Sequence, residues 1–544
     1  MKSFPLNPLA FAFACSIVLS SSLFWAASAH KHEGFLQCLT RHSPSNNSIS
    51  KFIYTPANFS YSSILNFSIQ NLRFSTAETP KPLLVIAPSH ISHIQAAVIC
   101  SKTHGLQIRT RSGGHDFEGL SYVSHLPFIV LDLIHLRSIT IDAKNSTAWV
   151  QSGATLGELY YRIAQKSQTL AFPAGSCPTV GVGGHLSGGG YGYLIRKYGL
   201  AADHVIDAHL VDANGRILNR ESMEDDLFWT IRGGGGGSFG IVVAWKLRLV
   251  PVPTTLTTCT VNRTLDRDGV KLIHRWQYVA HKLEDNLLLG ISLTGGHILT
   301  QQGGKTNPVA SFPTYFLGKV DELVAIVNTT FPELGLTKED CIETSWIEST
   351  LITAGFSAGE SLETLLYRRP LVNISTKIKS DYVKEPISEA IFKGIWERLN
   401  TQDIELAQVM FVPYGGRMSE FSESETPYPH RAENMYKMGY IVKWEEQSAK
   451  AEKRHLNWVR EIYDYMAPYV TKSPRAAYVN YRDLDIGRNN EYEKTNYERA
   501  KVWGLKYFGK NFNRLVQVKT RVDPSDFFRH EQSIPTFSSE YSVW

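Results

Sequence analysis

The stretch RGGGGGSFGIVVAW, Arg232 to Trp245, decides which cofactor fold the chain can adopt. Gly235, Gly237 and Gly240 satisfy the spacing G-x-G-x-x-G. In a nicotinamide-dinucleotide fold that spacing follows a strand and opens a helix, whose N-terminus faces the pyrophosphate. Here the glycines run into IVVAW, a β-branched strand candidate, so that fold is excluded. Glycine still permits positive φ and lets backbone N–H groups approach a phosphate. What remains is a phosphate-bearing ligand held in a different fold.

Two further glycine turns lie upstream. AGSCPTVGVGGHLSGGGYG (174–192) has Cys177 at its head. That cysteine is half of a disulfide, a buried small hydrophobe, or a residue bonded to something other than protein. RTRSGGHDFEG (109–119) places Gly113 and Gly114 where successive N–H groups can meet an anion, with Arg109 and Arg111 alternating along a strand and His115 directly after the turn. An ordinary surface turn is the competing reading. Metal binding by His115 and His185 is disfavoured, because neither has a second ligand at a spacing one element could use.

The surrounding texture is mixed. LLVIA (83–87), LQIRTR, PFIVLDL (127–133) and TAWVQSGA (147–154) read as strands; IQAAVICSKTHG, ending at Gly105, and LGELYYRIAQ (156–165) read as helices. DHVIDAHLVDANG reads as a strand and hairpin, and IVVAWKLRLVPVP as a strand broken by prolines. Beyond residue 254, strand-like NLLLGISL, AQVMFVPYG and MGYIVKW mix with amphipathic ISEAIFKGIWERL and HLNWVREIYDYM. The pattern predicts α+β or α/β construction in two or three domains.

The chain has 544 residues, 43% apolar and 20% charged, with a net charge of +5. Dispersed, matched charges give no nucleic-acid footprint. Lys2, the apolar run LAFAFACSIVLSSSLFWA and Ala27-Ser28-Ala29 predict a secretory signal over residues 1–29 rather than a membrane anchor. No other run is apolar enough to span a bilayer. Seven N-x-Ser/Thr triplets, headed by Asn46, Asn58, Asn66, Asn145, Asn262, Asn328 and Asn373, predict glycosylation on the same route, with the apoplast or vacuole as destination. Cys15 leaves with the signal. Cys38, Cys100, Cys177, Cys259 and Cys341 remain, an odd number, so at least one is unpaired within the chain.

Together, RSGGHDFEGLSY, CPTVGVGGHLSGGGYG, DLFWTIRGGGGGSFGIV and NYRDLD resemble the berberine-bridge-enzyme-like flavoproteins of plants, and most nearly the cannabinoid synthases and mulberry-type oxidocyclases of prenylated phenols. The resemblance covers nearly the whole chain after the signal. It implies an α+β, vanillyl-alcohol-oxidase-type FAD module (30–253, with a core from about 78), an inserted substrate domain of antiparallel sheet and helices (254–475), and a C-terminal segment (476–544) returning to the first. It implies FAD attached twice, through His115 and Cys177, and cradled by Arg111, Ser112, Gly113, Gly114, Ser121, Val180, Gly183, Gly184 and Gly188. Such tethers make a flavin a stronger oxidant, while the protein tunes its electronics. Cys38 and Cys100 resemble the family's disulfide pair. Cys259 and Cys341 are expected as buried or weakly reactive thiols, with a bond between them as the alternative.

On the substrate side, Tyr481 matches the family's catalytic base, Tyr191 a tyrosine on the flavin face, and Lys437 a position where many relatives carry lysine and cannabinoid synthases glutamate. A phenol with an ordinary pKa near 10 needs a nearby cation to act at neutral pH, which Lys437 would supply. Ser292 and Val412 stand where cannabinoid synthases place a substrate-contacting histidine and a tyrosine, so that pocket is not reproduced. Val180 matches a position where valine permits oxygen access and leucine hinders it. The resemblance thus implies a secreted, monomeric oxidase of a prenylated phenol, passing electrons to O2 and giving H2O2 with ring closure or a diene. Its alternatives are an FAD-containing cycloaddition catalyst with no net oxidation, and an oxidase of carbohydrates or monolignols.

Overall fold

A computed structural model describes residues 33–264, 267–296, 308–369 and 374–537. The N-terminal apolar run and Asn373 lie outside the described residues.

Three larger sheets organise the described residues, beside a two-stranded pair of Leu170–Ala171 and Val250–Pro251. The first has four strands, ordered Ile53–Tyr54, Val85–Ile86, Phe128–Asp132 and Gln107–Arg111; the last three are mutually parallel. Parallel neighbours need a crossover, and Ile91–His104 supplies one. That helix ends where Gly105 takes φ +68°, the left-handed C-cap that glycine accommodates without a Cβ penalty. The second sheet has five antiparallel strands, ordered Ile139–Asp142, Thr147–Gln151, Ile241–Arg248, Val205–Val211 and Ile217–Leu218. Strand Ile241–Arg248 therefore follows the 233–240 glycines directly, as the sequence predicts.

The third sheet has eight antiparallel strands. Its path runs Cys341–Thr344, Leu256–Thr264, Val309–Phe316, Ile291–Gly295, Leu406–Pro413, Tyr436–Trp444 and Ser375–Val383, and Leu287–Leu289 also pairs with Val309–Phe316. Strand alternation divides its two faces. Ala407, Val409, Tyr440 and Val442 pack with Trp276, Phe392, Ile395, Val459 and Ile462 of the covering helices. Gln408, Met410, Ile441 and Lys443 face a large cavity instead. The C-terminal helices Tyr497–Phe508 and Asn511–Val522 bring Trp503, Phe508, Phe512 and Leu515 into one core with Leu227, Phe228 and Trp229. The chain thus ends packed against its earlier part, in the α+β arrangement that the resemblance implies.

Cys38 and Cys100 are bonded. The expectation of thiols at Cys259 and Cys341 is corrected: they too form a disulfide. Edge strand Cys341–Thr344 pairs with Leu256–Thr264 so that the two cysteines lie directly opposite, with Cα atoms 4.1 Å apart. A separation of 82 residues gives no local sign of that register. Cys177 is the free cysteine among the described residues. No helix among them is long and apolar enough to cross a membrane.

Candidate active site

The glycines of two loops explain how the SGGH turn and the CPTVG loop meet. A Cβ on Gly113 would lie 2.3 Å from the Gly181 nitrogen, and one on Gly181 2.3 Å from the Gly113 nitrogen. The backbones therefore touch where any larger residue would separate them. Gly114 takes φ +74°, and a Cβ there would strike the Ser68 carbonyl at 1.7 Å. The contact delivers His115 and Cys177 to the same hydroxyl: Thr179 Oγ1 lies 2.8 Å from His115 Nε2 and 3.5 Å from Cys177 Sγ. Both side chains line the cavity. Burial lowers the His115 pKa to about 4, with its hydrogen bond to Thr179 opposing the shift. The ring is thus neutral at physiological pH, with Nε2 engaged by Thr179.

The cavity, of about 1150 Å³, runs from these loops to the third sheet. Ser112, Gly113, Gly114, Ser121, Val180, Gly183 and Gly184 all line it. Two expectations fail. Arg111 is fully buried away from the cavity, where its guanidinium pairs with Asp132 at 2.6 Å and donates to the carbonyls of Ile64 and Leu65. Gly188 makes room for a neighbour rather than for a ligand, since a Cβ there would meet the Asn480 amide at 2.1 Å. Asn480 in turn donates to the His185 carbonyl at 2.9 Å, which fixes the chain just before Tyr481.

Arg109, not Arg111, turns to the cavity. One of its terminal nitrogens pairs with Glu531 at 3.0 Å, while Nε and Nη1 have no hydrogen-bond partner among the described residues. Arg482, held by Asp116 at 3.2 Å, leaves Nη1 unpartnered, and the Ser121 and Ser152 hydroxyls are likewise orphaned. All four side chains line the cavity. Buried guanidinium and hydroxyl groups left without partners are costly unless a ligand completes them. Gly184 opens onto space, with nothing within 4 Å of a Cβ built on it. An elongated cavity, orphaned donors suited to a pyrophosphate, and a neutral histidine beside a free thiol fit FAD. The spacing of Arg109 and Arg111 puts both on one face of the strand and does not tell which of them reaches a ligand. Arg482, Ser152 and the cavity-lining His530 have no local signature at all.

Beside the SGGH turn stands a cluster of aromatic rings, with Tyr481 edge-on to Phe117 at 5.9 Å. Tyr191 and Tyr481 line the cavity and are hydrogen-bonded through their hydroxyls. Lys437 lies behind them rather than on the wall. It is 1% exposed, its Nζ has no hydrogen-bond partner, and it sits 3.3 Å from the Tyr191 ring centroid and 4.4 Å from those of Tyr478 and Tyr481. These are cation–π distances. Burial pushes Tyr481 up to about 12, with the Tyr191 hydrogen bond pulling the other way, and lowers Lys437 well below its ordinary value.

Charged contacts fix the tyrosine loop against that turn. Glu118, three residues after His115, pairs with Lys377 and accepts from the Leu484 N–H at 3.1 Å. Lys377 also pairs with Asp483 at 2.6 Å, and Lys379 with Asp483 at 2.6 Å. The loop carrying Tyr481 is thereby tied to the turn carrying His115. Ser292 and Val412, where the sequence departs from cannabinoid synthases, both line the cavity.

Comparison with known proteins agrees with this geometry. Residues 82–220 match the FAD binding domain family, and residues 477–535 the family described as berberine and berberine like. Tetrahydroberberine oxidase of Berberis wilsoniae is 52% identical over 97% of this chain and 98% of its own length. Cannabidiolic acid synthase-like 1 of Cannabis sativa is 49% identical over 96% and 97%. Among solved structures, BBE-like 28 of Arabidopsis thaliana superposes with a TM-score of 0.87 at 49% identity, covering 93% of this chain and 100% of that one. Phl p 4, a grass pollen allergen with glucose dehydrogenase activity, superposes with a TM-score of 0.86 at 44% identity, covering 92% and 99%. An FAD cavity built on these loops, and likeness along nearly the whole chain, lead to one conclusion: the chain belongs to the berberine bridge enzyme-like family of FAD-dependent oxidoreductases.

Proposed function

We propose that the protein is an oxidase of a phenolic, prenylated plant metabolite, with FAD attached through His115 and Cys177. The observation that carries the reading is the single cavity onto which His115, Cys177, Tyr191 and Tyr481 all open. When bound, FAD would supply hydride acceptance from a benzylic or allylic carbon and transfer of the electrons to O2 as H2O2. Tyr481 takes the proton of the substrate phenol or carbon acid through its hydroxyl oxygen. Tyr191 donates to that oxygen while it is a phenolate, before it takes the proton. Lys437 and Tyr481 each prefer to be neutral when buried alone, but a proton passed toward Lys437 leaves an ammonium beside a phenolate, and each charge offsets the other. Ring closure or diene formation follows on the oxidised substrate.

The same structure supports the secretory route. Asn46, Asn58, Asn66, Asn145, Asn262 and Asn328 are all exposed, and two disulfides fit an oxidising compartment. A carbohydrate substrate is the second reading. It is favoured by the polar wall of Ser292, Ser311, Thr376 and Gln408 and by the glucose dehydrogenase activity of Phl p 4.

Oxygen uptake and peroxide release during turnover of a substrate panel test the proposal. Stoichiometric peroxide with a prenylated phenol supports it. Full-rate product formation without oxygen identifies a cycloaddition catalyst instead. Val180 lines the cavity three residues after Cys177. Val180→Leu is expected to leave anaerobic reduction of the holoenzyme intact and to slow reoxidation by O2 about tenfold, a barrier increase of about 1.4 kcal/mol. Rapid mixing of reduced protein with oxygenated buffer measures it.

A further inference from the structure

We infer that an N-linked glycan on Asn262 forms the outer rim of the substrate cavity and restricts entry to single small molecules, excluding polymers. The inference holds for either substrate reading above and rests on the secretory route proposed there.

Strand register carries the argument. In an antiparallel sheet, directly paired residues share a face. Asn262 pairs with Ser311, Ser311 with Ser292, and Ser292 with Met410. Ser311, Ser292 and Met410 all line the cavity. Asn262 is therefore the next residue outward in the same row of the same wall, one strand from Ser311 and roughly 10 Å from Ser292. Burial along its strand agrees. Cys259 and Val261 pack into the helix-covered core, whereas Thr260, Asn262 and Thr264 are exposed.

The strand is also open on its outer side at this point. Cys341–Thr344 pairs with Leu256–Cys259, and from Thr260 onward no further strand among the described residues pairs with that side. The triplet Asn262-Arg263-Thr264 thus lies on an uncovered edge, within reach of modification. A glycan is bulky and solvated, and an uncovered strand edge is a feature that proteins shield.

A hydrogen bond sets the direction of the sugar. Ser311 Oγ donates to Asn262 Oδ1 at 2.7 Å. N-glycosylation uses Nδ2 and leaves Oδ1 an acceptor, so this bond survives the modification. It holds the amide with Nδ2 turned away from the serine hydroxyl and still beside the wall. Asn58 bonds instead to Thr55, and Asn145 to Asp142, neither of which lines the cavity. Sugar rings on Asn262 flank the wall and leave a passage for a monomeric phenol or hexose, while a polymer chain meets the glycan first.

The test uses holoenzyme made in a eukaryotic secretory host, with Ser292→Cys as a reporter on the wall. Glycopeptide mass spectrometry is expected to find Asn262 occupied. Alkylation is then timed on the peptide carrying position 292, with N-ethylmaleimide and with a maleimide carried on dextran. Relative to the small reagent, the dextran reagent should react about tenfold more slowly in the glycosylated protein than in its N262Q or T264V forms, a barrier difference of about 1.4 kcal/mol. N262Q removes the amide that Ser311 holds, whereas T264V removes the acceptor triplet, keeps Asn262 and keeps a β-branched residue in the strand. An unoccupied Asn262 in a protein glycosylated at its other triplets overturns the inference and keeps the secretory route; no glycan at any triplet overturns both. Equal relative rates with and without the glycan overturn the rim, as does a change in N262Q that T264V does not reproduce. No dextran labelling in any form, or failure of the small reagent to reach position 292, overturns it as well.

Discussion

Replacing Tyr481 by phenylalanine lowers the rate of anaerobic flavin reduction by about 10²- to 10⁴-fold, the range that a positioned general base contributes. Three observations place the effect on the chemical step. The hydroxyl lines the cavity, bonds to Tyr191, and has no other hydrogen-bond partner. The ring itself is anchored independently of that hydroxyl, edge-on to Phe117 at 5.9 Å and to Tyr478 at 5.1 Å, so phenylalanine keeps the packing. The neighbouring ion pairs of Asp483 and Arg482 hold the loop in either case. The loss should therefore fall on kcat, with substrate affinity little changed. Stopped-flow reduction with excess substrate measures it, and a variant within a few-fold of the unaltered protein would remove Tyr481 from the proton transfer.

Replacing Lys437 by methionine has the second large effect, and its signature is a shift in pH dependence. Burial raises Tyr481 to about 12, so by itself the phenol would be an active base only in strong alkali. Burial alone keeps Lys437 neutral, but a proton passed to it from Tyr481 makes an ammonium whose charge favours the phenolate and lowers that pKa. Removing the cation must therefore move the rise of kcat/KM with pH upward, by about one to two pH units. At neutral pH the rate then falls by about 10- to 100-fold, since each unit is a factor of ten in the ionised fraction. Because Lys437 contacts the tyrosine rings from behind the wall, the flavin should remain bound and its spectrum unchanged. Lysine-to-arginine replacement should return part of the rate at low pH. An unshifted profile in K437M would mean that Lys437 packs against the rings without influencing their charge.

Much of this site is legible in the chain before any coordinates. His115 and Cys177 stand in compact strings, because a covalent attachment needs a particular atom at the end of a glycine-permitted turn. The strand after Gly240 is equally local, since three consecutive residues, Ile241, Val242 and Val243, prefer extended backbone. What escapes the sequence is decided by neighbours distant along the chain. Arg109 and Arg111, two residues apart, share one face of their strand, and Asp132, directly across from Arg111 in the register, captures one of them. Gly188 looks like another cofactor glycine until Asn480, 292 positions on, is found occupying its space. The disulfide between Cys259 and Cys341 depends on a sheet edge closing across an 82-residue separation. Lys437 reads as an ordinary alternating residue of a strand; only the packing of three tyrosines from two other segments shows that its amine is enclosed.

The two tethers are the centre of the account, and acid precipitation followed by an absorption spectrum tests them most directly. His115 and Cys177 meet at one threonine hydroxyl and face one cavity, so each should hold the flavin without the other. The unaltered protein is expected to leave a yellow pellet and a colourless supernatant. His115→Ala and Cys177→Ala should each keep the colour in the pellet, and the double variant should release it. A colourless purified protein, colour released from the unaltered protein, or colour retained by the double variant would contradict the attachment.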